Sequence, residues 1–424
     1  MIAKIKQSQI HGTLTPPPSK SVTHRALVCS ALADGRSKIR SPLVSDDTEA
    51  TRRVLGQLGV KTSCRGGAWK VDGGTLGEPA SDLHCGESGT TLRLVTALCS
   101  LVDGECKLVG GPSLSKRPIG PLVDGLKQLG AKCESTGGLP PVTVKGNGRL
   151  LGGDSDIPGD ISSQFVSALL IVAPRGERGT TLRLTTRIES RPYVELTMEV
   201  QRIFGVSVEA SEGMEEFRIE RQSYRPADVT VEKDWSAAAF LLGAGALAGR
   251  VTVEDLNMGS SQADAAILGI LDEMGATVVG KGGSITVEMA PLSGIELDLS
   301  DSPDLFPVMA SLCAAASGRS VLRGLRRLRL KESDRVAAMT GGLVGMGVRC
   351  ELVGDILTIE GGSPKGCVID PWGDHRIAMA FSILSLAAEG ETTILDAECV
   401  SKSNPGFWGD LEALGVELAR DADE

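Results

Sequence analysis

The sequence predicts an α/β protein of two similar domains, each built of three repeated α/β units, with buried helices whose N-termini face an interdomain cleft. Three observations carry the two domains, their repeated units and the buried helices. A helix-stop signature recurs six times at near-even spacing, a second and nearly uncharged helix type alternates with it, and the stretch Ser223–Val231 interrupts the rhythm halfway along.

The stop signature is an amphipathic helix ending in a large apolar residue and glycine. It appears at Leu58-Gly59, Leu129-Gly130, Phe204-Gly205, Met274-Gly275, Met346-Gly347 and Leu414-Gly415, at intervals of 68 to 75 residues. A glycine there suits the left-handed position that ends a helix. The runs that follow (GVKTSC, GAKCE, GVSVE, GATVV, GVRCE, GVELA) read as short strands. Six copies of one unit at this spacing are the mark of an internal repeat.

The second helix type occupies Ser21–Leu32, Gly89–Leu101, Ser163–Val172, Ser236–Ala248, Asp304–Ala316 and His375–Ala388. These segments are rich in Ala and Leu and poor in charge, so they are expected to be buried on most faces. A helix of that kind favours closed packing of three units over an open solenoid. Three units per domain give residues 1–18 and 232–424 as one discontinuous domain and 19–231 as the other. The chain would cross at Leu14–Pro18 and at Ser223–Val231.

Composition narrows the partners. The chain has 424 residues, 41% of them hydrophobic, and a net charge of −10. That balance argues against nucleic acid or an anionic membrane as partner. Thirteen aromatic residues leave few platforms for stacking bases. The N-terminus lacks the apolar core of a secretory signal. The most apolar run, Phe240–Ala248, is too short to span a bilayer. Ten scattered cysteines without a C-x-x-C read as buried small hydrophobes in a reducing compartment. The expectation is a cytoplasmic monomer acting on small molecules, with no cofactor and no metal.

Polar residues gather where the buried helices begin. The chain reads Ser19-Lys20-Ser21 with Arg25 one turn on, then Glu87-Ser88-Gly89 with Arg93, Ser162-Ser163-Gln164, Ser302-Pro303-Asp304, and Asp374-His375-Arg376. Ser, Asp and Gly at such positions are N-caps in their own right. Lys20, Arg25, Arg93 and Arg376 need more, because a cation at the positive end of a helix is unfavourable unless an anion compensates. An acidic chain that collects cations there points to a small polyanionic ligand. Arg117 before Pro118, the stretch Leu330-Lys331-Glu332-Ser333-Asp334-Arg335 opening a helix, and Lys402 before the last helix join them. The Arg323–Arg329 cluster reads as surface or subunit contact rather than site. P-loop, zincin and nucleophile-elbow motifs are missing.

With these residues in view, the sequence resembles the 5-enolpyruvylshikimate-3-phosphate synthase family. The matching pieces are SKSVTHRAL (19–27), GESGTTLR (86–93), KRPIGPLVDGL (116–126), GDISSQFVSALL (159–170), SRPY (190–193), SPDLFP (302–307), LKESDR (330–335), GDHRIAMAF (373–381) and CVSKSNPGFW (399–408). All nine stand in the family's order. The family's two domains of three units agree with the repeat count.

The resemblance implies a transferase of the shikimate pathway, in aromatic amino acid biosynthesis. It would move the enolpyruvyl group of phosphoenolpyruvate to the 5-hydroxyl of shikimate-3-phosphate and release phosphate through a tetrahedral intermediate. By the same resemblance Lys20, Ser21, Arg25, Ser162, Ser163, Gln164, Ser190, Tyr193, Asp304 and Lys331 would bind shikimate-3-phosphate. Lys20, Gly89, Arg117, Gln164, Arg335, Arg376 and Lys402 would bind phosphoenolpyruvate, with backbone N–H groups approaching at Gly89. Asp304 would take the hydroxyl proton, and Glu332, with Lys20, would protonate C3. Domain closure on the two anions would follow.

Two departures stand out. Glu87 replaces an Asn common in the family, and a carboxylate so near phosphoenolpyruvate is expected to be paired, with Arg93 or another cation. Arg327 replaces an Asn of some relatives and receives no ligand role. The rival readings fit less well. A UDP-N-acetylglucosamine enolpyruvyl transferase would carry Lys-Asn and a loop cysteine, whereas Ser21 follows Lys20 and Cys106 lies outside the Gly110–Arg117 loop. A terminal phosphate cyclase-like protein would need a nucleotide apparatus, and an inactive anion binder would not need Asp304, Glu332 and Lys20 together.

Overall fold

The computed structural model describes residues 1–421. Within them the chain forms twelve α-helices: α1 (Lys20–Leu32), α2 (Asp46–Gln57), α3 (Gly89–Cys99), α4 (Gly120–Gln128), α5 (Ser163–Val172), α6 (Arg191–Ile203), α7 (Trp235–Ala248), α8 (Ile267–Glu273), α9 (Phe306–Ala315), α10 (Arg335–Gly345), α11 (His375–Ser385) and α12 (Phe407–Ala413).

The even-numbered helices end where the stop signature says. Leu58, Leu129, Phe204, Met274, Met346 and Leu414 are the C-caps. The glycine after each has φ between 78° and 98°. A side chain with a β-carbon is strained in that region, which is why this one position repeats as glycine. The odd-numbered helices are buried along nearly their whole length, as their uncharged composition requires.

Each repeat supplies one four-stranded sheet, six in all among the described residues. The third repeat shows the plan. The strand Gly153–Ile157 leads through α5 to a parallel neighbour, Thr180–Leu184, and α6 then leads to an antiparallel pair. Of the expected strand GVSVE only Glu209 joins that pair, with Ala210, so the strand here is later and shorter than the sequence suggested.

The chain divides into two compact units, one of Met1–Pro17 with everything from Lys233 onward, the other of Pro18–Glu232. Connectivity explains the division. Ile10–Leu14 precedes α1 but pairs in parallel with Gly249–Val253, after α7. Asp228–Thr230 precedes α7 but pairs with Gly35–Arg40, after α1. The N-terminal strand Ile2–Lys6 closes the sixth sheet between Glu391–Ile394 and Leu418–Asp421. Each unit has its own apolar core, built around α1, α3 and α5 in one and α7, α9 and α11 in the other. No helix among the described residues is long and apolar enough to cross a membrane. The ten cysteines are free; seven are buried, while Cys64 is exposed, against the expectation for the set.

Candidate active site

In the unit of residues 18–232, the polar residues collect at the starts of α1, α3 and α5. Ser19, Ser88 and Ser162 cap these helices, their hydroxyls accepting from Val22, Thr91 and Gln164. Ser21 is on the first turn of α1, and Ser163 opens α5 with 7% exposure. Lys20 Nζ lies 2.9 Å from Asp47 Oδ2, with side-chain exposures of 14% and 9%. Asp47 had no place in the sequence reading, although the acidic run Asp46-Asp47 at the start of α2 was the available signal.

Arg25 is held by Thr197 Oγ1 at 2.7 Å and by the carbonyls of Ser21 and Tyr193 at 2.9 and 3.0 Å. Burial pulls its guanidinium down to about 10. Ser190, 2% exposed, stands at φ 56° before α6, and its carbonyl accepts from Tyr193 N. Backbone strain of this kind at a non-glycine residue collects at functional positions.

Around Gly89 two arginine side chains fill the space that a side chain would take. A β-carbon there would lie 2.5 Å from Arg93 Nη1 and 2.8 Å from Arg117 Cζ. The missing side chain makes room for two guanidinium groups. Arg93 donates to Gln164 Oε1 at 2.9 Å and to the Pro118 carbonyl at 3.2 Å, and its Cζ lies 5.4 Å from the centre of the Phe165 ring. Gln164 in turn donates to Thr90 Oγ1 at 3.0 Å. Arg93 thus has neutral partners within this unit, on Gln164 and Pro118.

Glu87 is paired, and through backbone amides rather than through a cation. Its carboxylate accepts from the backbone N–H groups of Leu114 at 2.7 Å and Ser113 at 3.3 Å. These belong to the turn that ends at Arg117, 6% exposed. Ionised acceptors on amides make strong hydrogen bonds, which is how a carboxylate is satisfied without a salt bridge.

In the other unit, Asp304 sits in a 3-10 turn, Pro303–Leu305, ahead of α9, not on the helix as the sequence implied, and Ser302 makes no side-chain cap. Its Oδ1 accepts from Arg335 Nη1 at 2.8 Å and its Oδ2 from Arg376 Nη2 at 3.1 Å. Lys331 Nζ is 3.6 Å away. Burial works to raise the Asp304 carboxyl, but the charges of Arg376, Lys331 and Arg335 outweigh it and hold the group well below the usual carboxylate range. Burial lowers Lys331 to about 8, against the pull of Asp304.

Lys331 and Glu332 precede α10, which begins at Arg335, so the LKESDR stretch is a loop leading into a helix. Arg335 is 1% exposed and reaches three carboxylates: Asp304, Glu332 Oε2 at 2.8 Å and Asp374 Oδ2 at 2.8 Å. Asp374 also caps α11 by accepting from Arg376 N at 3.0 Å. The sequence showed Asp374 as a cap only. Lys402 Nζ donates to the Gly373 carbonyl at 2.7 Å. Arg327, expected at the surface, is 5% exposed, donates to the Ser300 carbonyl at 2.6 Å, and is one of the charges acting on Lys331. Among the described residues no group of three or more His, Cys, Asp or Glu could hold a metal ion.

One set therefore offers cations and hydroxyls at helix starts, and the other offers an ionised carboxylate clasped by cations beside a second carboxyl. The first suits anion capture. The second suits proton transfer.

Known proteins share this arrangement of sequence and fold. Residues 5–411 match the family described as EPSP synthase (3-phosphoshikimate 1-carboxyvinyltransferase). The chain is 43% identical over 413 residues to the 3-phosphoshikimate 1-carboxyvinyltransferase of Dehalococcoides mccartyi, covering 97% of each. It is 43% identical over 423 residues to that of Methanothermobacter thermautotrophicus, covering 97% of this chain and 98% of the relative. Among solved structures, EPSP synthase from Acinetobacter baumannii aligns with a TM-score of 0.82 at 30% identity, over 99% of this chain and 100% of that one. The enolpyruvyl transferase NikO from Streptomyces tendae shares the fold, with a TM-score of 0.79 at 21% identity over 100% and 99% of the two chains. A family match over nearly the whole chain, with relatives above 40% identity at full coverage, means that this chain belongs to the EPSP synthase family.

Proposed function

We propose that the chain is a 3-phosphoshikimate 1-carboxyvinyltransferase, transferring the enolpyruvyl group of phosphoenolpyruvate to the 5-hydroxyl of shikimate-3-phosphate in aromatic amino acid biosynthesis. The observation that carries the mechanism is Asp304, a carboxylate kept ionised by Arg335, Arg376 and Lys331 with Glu332 on the same arginine.

In this reading the hydroxyl oxygen attacks C2 of phosphoenolpyruvate while its proton passes to Asp304. The electron pair of the C2–C3 bond takes a proton at C3 from Glu332, with Lys20 assisting. Loss of a proton from C3 back to a carboxylate then reforms the double bond, and the C2–O bond to phosphate breaks. Lys331 stays beside Asp304 and steadies its charge. Arg117, Arg335, Arg376, Lys402, Lys20, Gln164 and the backbone at Gly89 bind phosphoenolpyruvate. Lys20, Ser21, Arg25, Ser162, Ser163, Gln164, Ser190, Tyr193, Asp304 and Lys331 bind shikimate-3-phosphate. Arginine suits the planar carboxylate and phosphate groups, and lysine serves as a point charge. The same reading takes the compartment to be the cytoplasm and the working unit to be a monomer.

The test is phosphate release from purified protein. Release that needs both substrates, and that falls by at least about a hundredfold in Asp304→Ala, is the expected result. Release with one substrate omitted, or undiminished in the variant, would overturn the mechanism.

A further inference from the structure

Asp264 belongs to none of the motifs used above. It lies on the 3-10 turn Ala263–Ala266, which packs against α7 and leads into α8. Its side chain is 1% exposed. Oδ2 accepts from the Ser236 hydroxyl on the first turn of α7. Oδ1 is buried too, and among the described residues it has no hydrogen-bond partner. The charged groups that face it are Asp304 from the turn before α9, Arg376 from α11 and Asp234 at the cap of α7. A carboxylate in such a place costs more than the neutral acid. Burial first, and the charge of Asp304 second, push Asp264 up to about 7, while Arg376 and the Ser236 bond act the other way.

The surrounding charges give this position a consequence. Asp304, Glu332 and Asp374 are three carboxylates, interlocked with Lys331, Arg335 and Arg376 as three cations. Lys402, on the Gly373 carbonyl, adds one positive charge. Asp234, facing Asp264, and Arg327, acting on Lys331, offset one another, so with a neutral Asp264 the group is net positive and suited to an anion. A charged Asp264 cancels that surplus beside Arg376.

We propose that Asp264 is a positioning residue carried as the neutral acid behind Asp304 and Arg376, and that its proton sets how tightly this unit captures phosphoenolpyruvate. The inference rests on the assignment of Arg376 and Lys402 to that substrate. It concerns binding, so its signature is a change in KM.

The experiment measures KM for phosphoenolpyruvate from pH 6 to 9 at saturating shikimate-3-phosphate, in the native protein and in Asp264→Asn. Both share every other titrating group, Lys331 and the substrate phosphate included, so the ratio of their KM values isolates Asp264. The native KM is expected to rise about three- to tenfold relative to the variant as pH passes 7, the effect of one charge at several ångströms in a partly shielded site. Parallel profiles would overturn the inference. Ser236→Ala removes the hydrogen bond that favours the carboxylate and is expected to move the native midpoint to higher pH; an unmoved midpoint would also overturn it.

Unfolding without substrates separates this inference from the functional reading. Folded Asp264 keeps a proton that the unfolded chain releases above about pH 4. The native protein is therefore expected to lose stability against Asp264→Asn as pH rises from 5 to 7, with the gap level above 7. If neither protein turns over the two substrates but the gap follows this course, the functional reading fails and the neutral acid stands. A gap independent of pH between 5 and 7 would overturn the neutral acid whatever the activity.

Discussion

Arg335 and Asp374 lock together in the interior, with Nε donating to Oδ2 at 2.8 Å and exposures of 1% and 0%. The same carboxylate caps α11 through the Arg376 N–H. Asp374→Ala removes both at once and leaves a buried guanidinium short of one counter-charge. Breaking a buried pair in this way costs about 3–5 kcal/mol. Asp374→Asn keeps an acceptor for the helix cap and is expected to cost less by about 1 kcal/mol. Urea unfolding of the two variants checks this, and a loss below about 1 kcal/mol for Asp374→Ala would show that the pair contributes little.

In the proposed reaction Lys331 is expected to govern the alkaline side. Burial brings it to about 8, so its charge beside Asp304 disappears as pH rises through that value. Asp304 is held ionised far below this range and contributes no change there. The expected outcome is a fall in kcat/KM for shikimate-3-phosphate above pH 8. In Lys331→Arg the fall is expected to move to higher pH, because a guanidinium keeps its charge, with a lower plateau from the altered shape. A native profile flat from pH 7 to 9.5 would remove Lys331 from the site.

At Gly89 the test is steric. A methyl group there meets Arg93 Nη1 at 2.5 Å and Arg117 Cζ at 2.8 Å, the far ends of two long side chains. Those ends can swing away, so Gly89→Ala is expected to fold with a stability change within about 1 kcal/mol. The displaced Arg117 would lose the charge-assisted contact with phosphoenolpyruvate proposed for it. KM for that substrate is expected to rise about ten- to a hundredfold, with kcat changing less. An unchanged KM would mean that neither guanidinium serves the substrate.

The residues whose meaning was legible in the sequence share a property: their role is local. Gly59, Gly130, Gly205, Gly275, Gly347 and Gly415 announce the helix ends because a left-handed backbone selects glycine. The caps Ser19, Ser88, Ser162 and Asp374 are readable for the same reason. What was not legible depends on partners far along the chain. Lys20 meets Asp47 across 27 positions, and Arg335 meets Asp374 across 39. Arg327 is drawn inside by the Ser300 carbonyl, which its surface-like sequence context does not reveal. Asp304 lies in a 3-10 turn with Pro303 at its start, so a helix period extrapolated backward from the apolar run starts the helix at Asp304, two residues before Phe306. Charge arithmetic alone called for a cation on Glu87, whereas amides of a turn 26 and 27 positions away accept that duty.

Glu87 and Gly111 make the sharpest test of that turn. A β-carbon on Gly111 would stand 2.1 Å from Glu87 Oε1 and 2.7 Å from its Cδ, so the carboxylate occupies the space where that side chain would be. Glu87→Ala removes the acceptor for the Ser113 and Leu114 N–H groups and is expected to cost about 1–3 kcal/mol. Gly111→Ala is expected to cost a similar amount by driving the carboxylate off those amides. In the double variant the new methyl group enters the space that Glu87 has vacated, and there is no carboxylate left to displace. The two losses should therefore fall short of additivity by about 1–2 kcal/mol in urea unfolding, the size of coupling found for side chains in contact. Both single variants loosen the turn that ends at Arg117, so KM for phosphoenolpyruvate should rise in each, and Glu87→Gln, which retains one acceptor, should recover part of it. Strict additivity in the cycle would mean that the two residues do not share this space, and with it the account of how Arg117 is aimed would fail.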